Sequence, residues 1–143
     1  MKPRLVDFYM DVARRTSQLS YAEKLKVGAI LVKNDNIVSF SWNGTPRGWD
    51  NVCEDKIYTE NDEFYLKTKP CVTHAEEALL MKIAASNESA EGSTLFCTHS
   101  CCISCAKLIY GAKIKEFYYA DEYRSTEGIE FLEKCGIKVF KIS

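Results

Sequence analysis

At 143 residues the chain is sized for one domain, since domains average about 100–200 residues. Its 46% hydrophobic, 12% aromatic and 27% charged residues are the composition of a globular protein and exclude a disordered or collagen-like chain. Nineteen basic against twenty acidic side chains leave a formal charge of −1, which argues against a nonspecific binder of duplex DNA or anionic membrane and leaves room for a local basic pocket.

Leu5, Phe8, Tyr9 and Val12 recur at i, i+3, i+4, i+7 among Asp7, Asp11, Arg14 and Arg15, which predicts an amphipathic helix ending near Ser20. Asp7 and Asp11 fall where a signal peptide would need an apolar core, and no stretch approaches the roughly 20 apolar residues of a membrane span. The expectation is a cytoplasmic protein. In that reducing setting seven cysteines, an odd number, read as metal ligands or buried thiols. VGAILVK (27–33) and NIVSFSW (36–42) flank Asn34-Asp35 and predict a hairpin. Gly44, Pro46 and Gly48 then open a long connection over 43–72, with a short helix expected at 57–66 and ligand contacts expected along it. Thr73 is placed to cap a helix running from His74 through Leu79 and Ile83 to Ser86-Asn87. Strand 93–98, helix 102–110, strand 114–120, helix 126–135 and strand 137–141 follow. This alternation predicts parallel pairing with helices on both faces, a three-layer α/β domain with five strands spanning 1–143.

The chemistry concentrates at two predicted helix starts. Cys102-Ile-Ser-Cys105 puts two thiols in a first helical turn, where free backbone N–H groups and the positive end of the dipole favour thiolates. His74-Ala75-Glu76 presents an imidazole and a carboxylate at the other. His74, Cys102 and Cys105 make three zinc ligands with a fourth position for water, and Glu76 lies beside that water. An H-x-E followed by C-x-x-C about 25 residues later, with a strand between, is the zinc deaminase signature. A competing set, His99 with Cys102, Cys105 and either Cys53 or Cys71, would close a structural zinc site and leave His74 without a role. Cys101, Cys53, Cys71, Cys97 and Cys135 lack paired spacing and default to buried thiols, with Cys53 or Cys71 the residues a second zinc would use.

The chain resembles the zinc-dependent cytidine and deoxycytidylate deaminases, most of all the short phage deoxycytidylate (dCMP) deaminases. KVGAILV, SWNGTPRG, THAE, STLFCTHSCCISCAKLIYGAKIKEFYY, ADEY and GIKVFKI carry the likeness, over residues 5–143. It departs from the family pattern at Cys101, where a proline is usual, at Ala78, usually asparagine, and at Ser41, usually glycine. The resemblance implies a cytidine deaminase-like α-β-α fold with a five-stranded mixed sheet. It further implies zinc-dependent hydrolysis of dCMP to dUMP and ammonia, supplying dUMP for dTMP synthesis, with Glu76 as the proton carrier. Substrate contacts are implied at Lys26, Asn43, Ala75, Ser100, Tyr123 and Arg124, with Tyr123 stacking on the base. Effector contacts are implied at Trp42, Asn43, Gly44, Arg47, Asn51 and Glu54 in a homo-oligomer, a hexamer in the family, activated by dCTP and inhibited by dTTP, with Mg²⁺ accompanying the triphosphate. The host cytoplasm is the implied location for a phage-encoded chain. Two other activities share the zinc chemistry: deamination of dCTP or the free nucleoside, and deamination within a polynucleotide. The second needs a basic, aromatic-lined channel of which a net charge of −1 gives little sign.

Overall fold

A computed structural model describes residues 1–142. In chain order its elements are α1 (Pro3–Ser17), β1 (Gly28–Lys33), β2 (Asn36–Trp42), β3 (Glu54–Tyr58), β4 (Phe64–Thr68), α2 (Ala75–Ala84), β5 (Thr94–His99), α3 (Ile103–Gly111), β6 (Glu116–Asp121), α4 (Glu127–Lys134) and β7 (Lys138–Lys141). β1 and β2 form the expected hairpin, turned by Asn34 and Asp35 at φ 52 and 60°, the left-handed pair a two-residue turn requires.

The main sheet has five strands in the order β2-β1-β5-β6-β7. β5, β6 and β7 run parallel, whereas β1 is antiparallel to both β2 and β5, so the sheet is mixed. This is the mixed sheet that the resemblance implied, with the hairpin supplying its antiparallel part. The hairpin places β2 on the outer side of β1, β1 pairs antiparallel with the central β5, and β6 and β7, each reached through a crossover helix, continue the sheet in parallel. β1 and β5 are buried on both faces, which is why they read as continuous apolar runs. Ala29, Leu31, Leu95, Cys97, Phe117 and Tyr119 face the core shared with α2, α3 and α4. Ile30, Val32, Phe96, Tyr118 and Ala120 face α1 alone.

Two expectations change. Residues 57–66 hold no helix; β3 and β4 pair as a separate two-stranded hairpin over 54–68. Alternation wins there because Asp62, at φ 61°, closes a turn that a helix could not accommodate. On α1 the buried stripe is Val6, Tyr9, Met10, Ala13 and Thr16, one position on from the stripe read off the sequence, and Phe8 stays exposed. Both stripes satisfy helical spacing, and the sheet selects between them at Gly28. A Cβ there would stand 2.2 Å from the Ala13 carbonyl oxygen, so α1 lies backbone-to-backbone on β1 and the small Ala13 must face it.

Candidate active site

β5 and β6 end, and β1 begins, at one edge of the sheet, where α2 and α3 also start. Ligand sites of open α/β sheets form at such an edge, beyond the carboxyl ends of parallel strands. His74 is the N-cap of α2 in extended conformation, and its backbone N–H donates to Glu77 Oε1 at 2.8 Å, which closes the first turn and aims the imidazole outward. Cys102 is the N-cap of α3 and accepts from the Cys105 backbone N–H at 3.5 Å. His74 Nδ1 lies 3.3 Å from Cys105 Sγ and 3.5 Å from Cys102 Sγ, and the three donor atoms fall within 4.8 Å of one another.

One imidazole nitrogen and two sulfurs at that spacing fit zinc, a borderline-soft cation that tetrahedral N/S sets bind well. Cys105 is fully buried behind the group, while His74 and Cys102 line a pocket. The electrostatics prepare the set. Hydrogen bonds from Cys105 and then His74 hold the Cys102 thiol down at about 4, and the bond to Cys102 raises His74 to about 9. Sharing its proton with Cys102 pushes the Cys105 thiol up. The competing set does not assemble: among the described residues only His74, Cys102 and Cys105 converge as a group of three ligands, and His99 faces Asp121 at 3.9 Å. Of the remaining thiols, Cys101, Cys97 and Cys53 are buried, whereas Cys71 and Cys135 are only partly so.

Glu76 is 4% exposed and lines the same pocket in the first turn of α2. Burial pushes its carboxyl above the ordinary range, against the pull of His74. Asn43, Ala75, Ser100 and Tyr123 join it on the wall. Asn43 accepts from Val27 N–H at 2.9 Å and donates to the Leu25 carbonyl at 2.7 Å, clamping the segment that enters β1. Ser100 Oγ accepts from Tyr123 N–H at 2.6 Å and so ties together the loops after β5 and β6. Arg124 is exposed, its guanidinium 5.6 Å from the Tyr123 ring centre. Lys26 is not brought to this wall; it borders a groove with Gln18–Glu23.

The residues implied as effector contacts have the following surroundings. Trp42 lies beneath Lys82, Gly44 bridges to Thr73, and Arg47 and Asn51 are exposed. Glu54 is buried and already holds the backbone N–H groups of Glu23 and Lys24 at 3.1 Å each. Leu25, Val27 and His99 line the pocket without having been singled out for it. A histidine at the last residue of a parallel strand was the available signal for His99.

A family model described as the cytidine and deoxycytidylate deaminase zinc-binding region matches residues 4–121. A dCMP deaminase from the cyanophage S-TIM5, solved with dCMP and dUMP, superposes with a TM-score of 0.89 at 46% identity, covering 99% of each chain. The deoxycytidylate deaminase of Enterobacteria phage T4 is 28% identical over 172 residues, covering 93% of this chain and 87% of its own. That of Saccharomyces cerevisiae is 28% identical over all of this chain, which spans only 46% of the yeast protein. With the matched region enclosing all three zinc-type ligands and Glu76, the chain belongs to the cytidine and deoxycytidylate deaminase family.

Proposed function

We propose that this protein hydrolyses dCMP to dUMP and ammonia. The observation that carries the reading is the convergence of His74, Cys102 and Cys105 on a pocket whose wall also holds the buried Glu76. Likeness across 99% of both chains to a dCMP deaminase supports the choice of substrate. Zinc held by His74, Cys102 and Cys105 supplies a Lewis acid that activates water. Glu76 does the proton work: its carboxylate takes a proton from water and delivers it to N3 of the cytosine as the resulting hydroxide adds to C4, then takes the proton of the new C4 hydroxyl and passes it to the amine as the C4–N bond breaks and the C4 carbonyl forms. One water enters and one ammonia leaves. Low exposure keeps bulk water from short-circuiting these transfers.

Tyr123 offers its ring to the base. Asn43 keeps one amide hydrogen and a lone pair free for the sugar after clamping Leu25 and Val27. Ala75 and Ser100 shape the wall. Arg124, exposed beside Tyr123, is the cation this reading assigns to the phosphate, with Lys26, which borders a separate groove, as the alternative. A homo-oligomer regulated by dCTP, with Mg²⁺, and by dTTP is the finer form of the reading, set in the cytoplasm. Arg47 and the exposed part of the 43–54 loop are what the chain offers an effector, because Glu54 is spent on its own backbone.

The test compares deoxycytidine, dCMP and dCTP as substrates of the zinc-loaded protein and of Glu76→Gln, with zinc content measured alongside. The expected result is a clear preference for dCMP, and about one zinc per chain with a loss of at least about a hundredfold in the variant. Comparable turnover of all three substrates removes the dCMP assignment, and an active Glu76→Gln removes the mechanism. Sigmoidal dCMP kinetics that dCTP renders hyperbolic support the regulatory form; hyperbolic kinetics insensitive to both triphosphates remove it.

A further inference from the structure

Cys97 is fully buried in β5, on the face that packs against α2. Nothing in the zinc chemistry uses it. Its Sγ donates to Glu76 Oε1 at 3.5 Å, the distance of a thiol hydrogen bond, and among the described residues it is the side chain that donates to this carboxylate. Burial and the neighbouring carboxylate hold the thiol pKa well above its ordinary value, so the sulfur carries its proton and acts as donor.

The carboxylate needs such a partner. The last torsion of a glutamate is broad and roughly two-fold, so packing alone leaves the plane of the carboxyl group free to turn. A donor on the central strand removes that freedom, because β5 is hydrogen-bonded on both sides, to β1 and to β6. We propose that Cys97 is a positioning residue for Glu76: the thiol engages one carboxylate oxygen from the sheet and leaves the other directed at the pocket, where proton transfer takes place. Precision at this oxygen bears directly on turnover, since a base held in its reactive orientation beforehand needs no reorganisation at the moment of reaction. The proposal rests on the reading of Glu76 as the proton carrier.

The experiment compares zinc-loaded Cys97→Ala, Cys97→Ser and Glu76→Gln with the parent protein on dCMP. Cys97→Ala removes one sulfur atom and its donor; Cys97→Ser restores a donor. Expected for Cys97→Ala are unchanged zinc content, a KM within about twofold and a kcat lowered on the order of tenfold, the scale at which partners behind an active group act. Cys97→Ser should recover most of that loss. A Cys97→Ala enzyme with the parent kcat, while Glu76→Gln is inactive, overturns the Cys97 proposal and leaves the reading of Glu76 standing. An active Glu76→Gln instead overturns that reading. Equal losses of kcat, KM and thermal stability in both Cys97 variants mean packing alone and also overturn the proposal. A second measurement needs no Cys97 variant to be active: the infrared S–H stretching band should shift between the parent and Glu76→Gln, and an unmoved band counts against the hydrogen bond.

Discussion

At position 128 only a hydrogen fits. A Cβ on Gly128 would stand 2.2 Å from the Cys101 carbonyl oxygen and 2.9 Å from the Cys102 carbonyl carbon, so the first turn of α4 is the floor on which the metal-binding turn rests. Gly128→Ala is expected to cost about 1–3 kcal/mol by overpacking and to displace Cys102, weakening zinc binding; thermal unfolding and competitive zinc titration read the two effects. A parent-like zinc affinity in a destabilised variant would detach α4 from the site. The same close contact explains how Cys101 serves where the family usually has proline. Its fully buried backbone is held from behind by α4, so the turn does not need the rigidity of a proline ring. None of this is visible in the sequence around Gly128, whose neighbour lies more than twenty residues away.

Among the elements, β3 and β4 stand apart. They form a two-stranded sheet of their own, with Tyr58, Phe64 and Tyr65 exposed, and an isolated hairpin of that size is marginally stable in water. It is held at its base by the bonds from Glu23 and Lys24 N–H to Glu54 and by Lys69 N–H donating to the Cys53 carbonyl at 2.9 Å. Amide exchange should therefore run on the order of a hundredfold faster in residues 55–67 than in β1 and β5, which open only with the whole domain. Uniform protection across both sheets would contradict this. The helix expected at 57–66 fails for a related reason: with little core to pack against, local turn chemistry at Asp62 decides the backbone. The long helices and buried strands were legible because periodicity and burial point the same way in them, as β1 and β5 show.

At the scale of the molecule, a metal ion would join α2 to α3 across the end of the sheet, and its binding must displace protons. Before an ion binds, the Cys102 hydrogen bond raises His74 to about 9, so this imidazole is protonated at neutral pH, and Cys105 is a thiol. Zinc binding would release both protons to solvent, whereas Cys102, held down at about 4, has none to release. Affinity should consequently fall as pH drops below about 9, by up to roughly tenfold per pH unit for each proton displaced, and calorimetry in buffers of different ionisation enthalpy should register the release. A pH-independent affinity between 6 and about 9 would contradict that proton assignment. Read by itself, the sequence located the candidate chemistry: H-x-E and C-x-x-C put an imidazole, a carboxylate and two thiols at two helix starts, because helix caps and spacing are local and need no knowledge of the rest of the fold. Only the tertiary structure decided which histidine joins the cysteines, which stripe of α1 is buried, that β1 runs antiparallel beside β5, that Lys26 borders a separate groove and that Glu54 binds the backbone of Glu23 and Lys24. Those outcomes depend on contacts between residues distant along the chain, and the sequence leaves several solutions of equal local merit among which packing chooses.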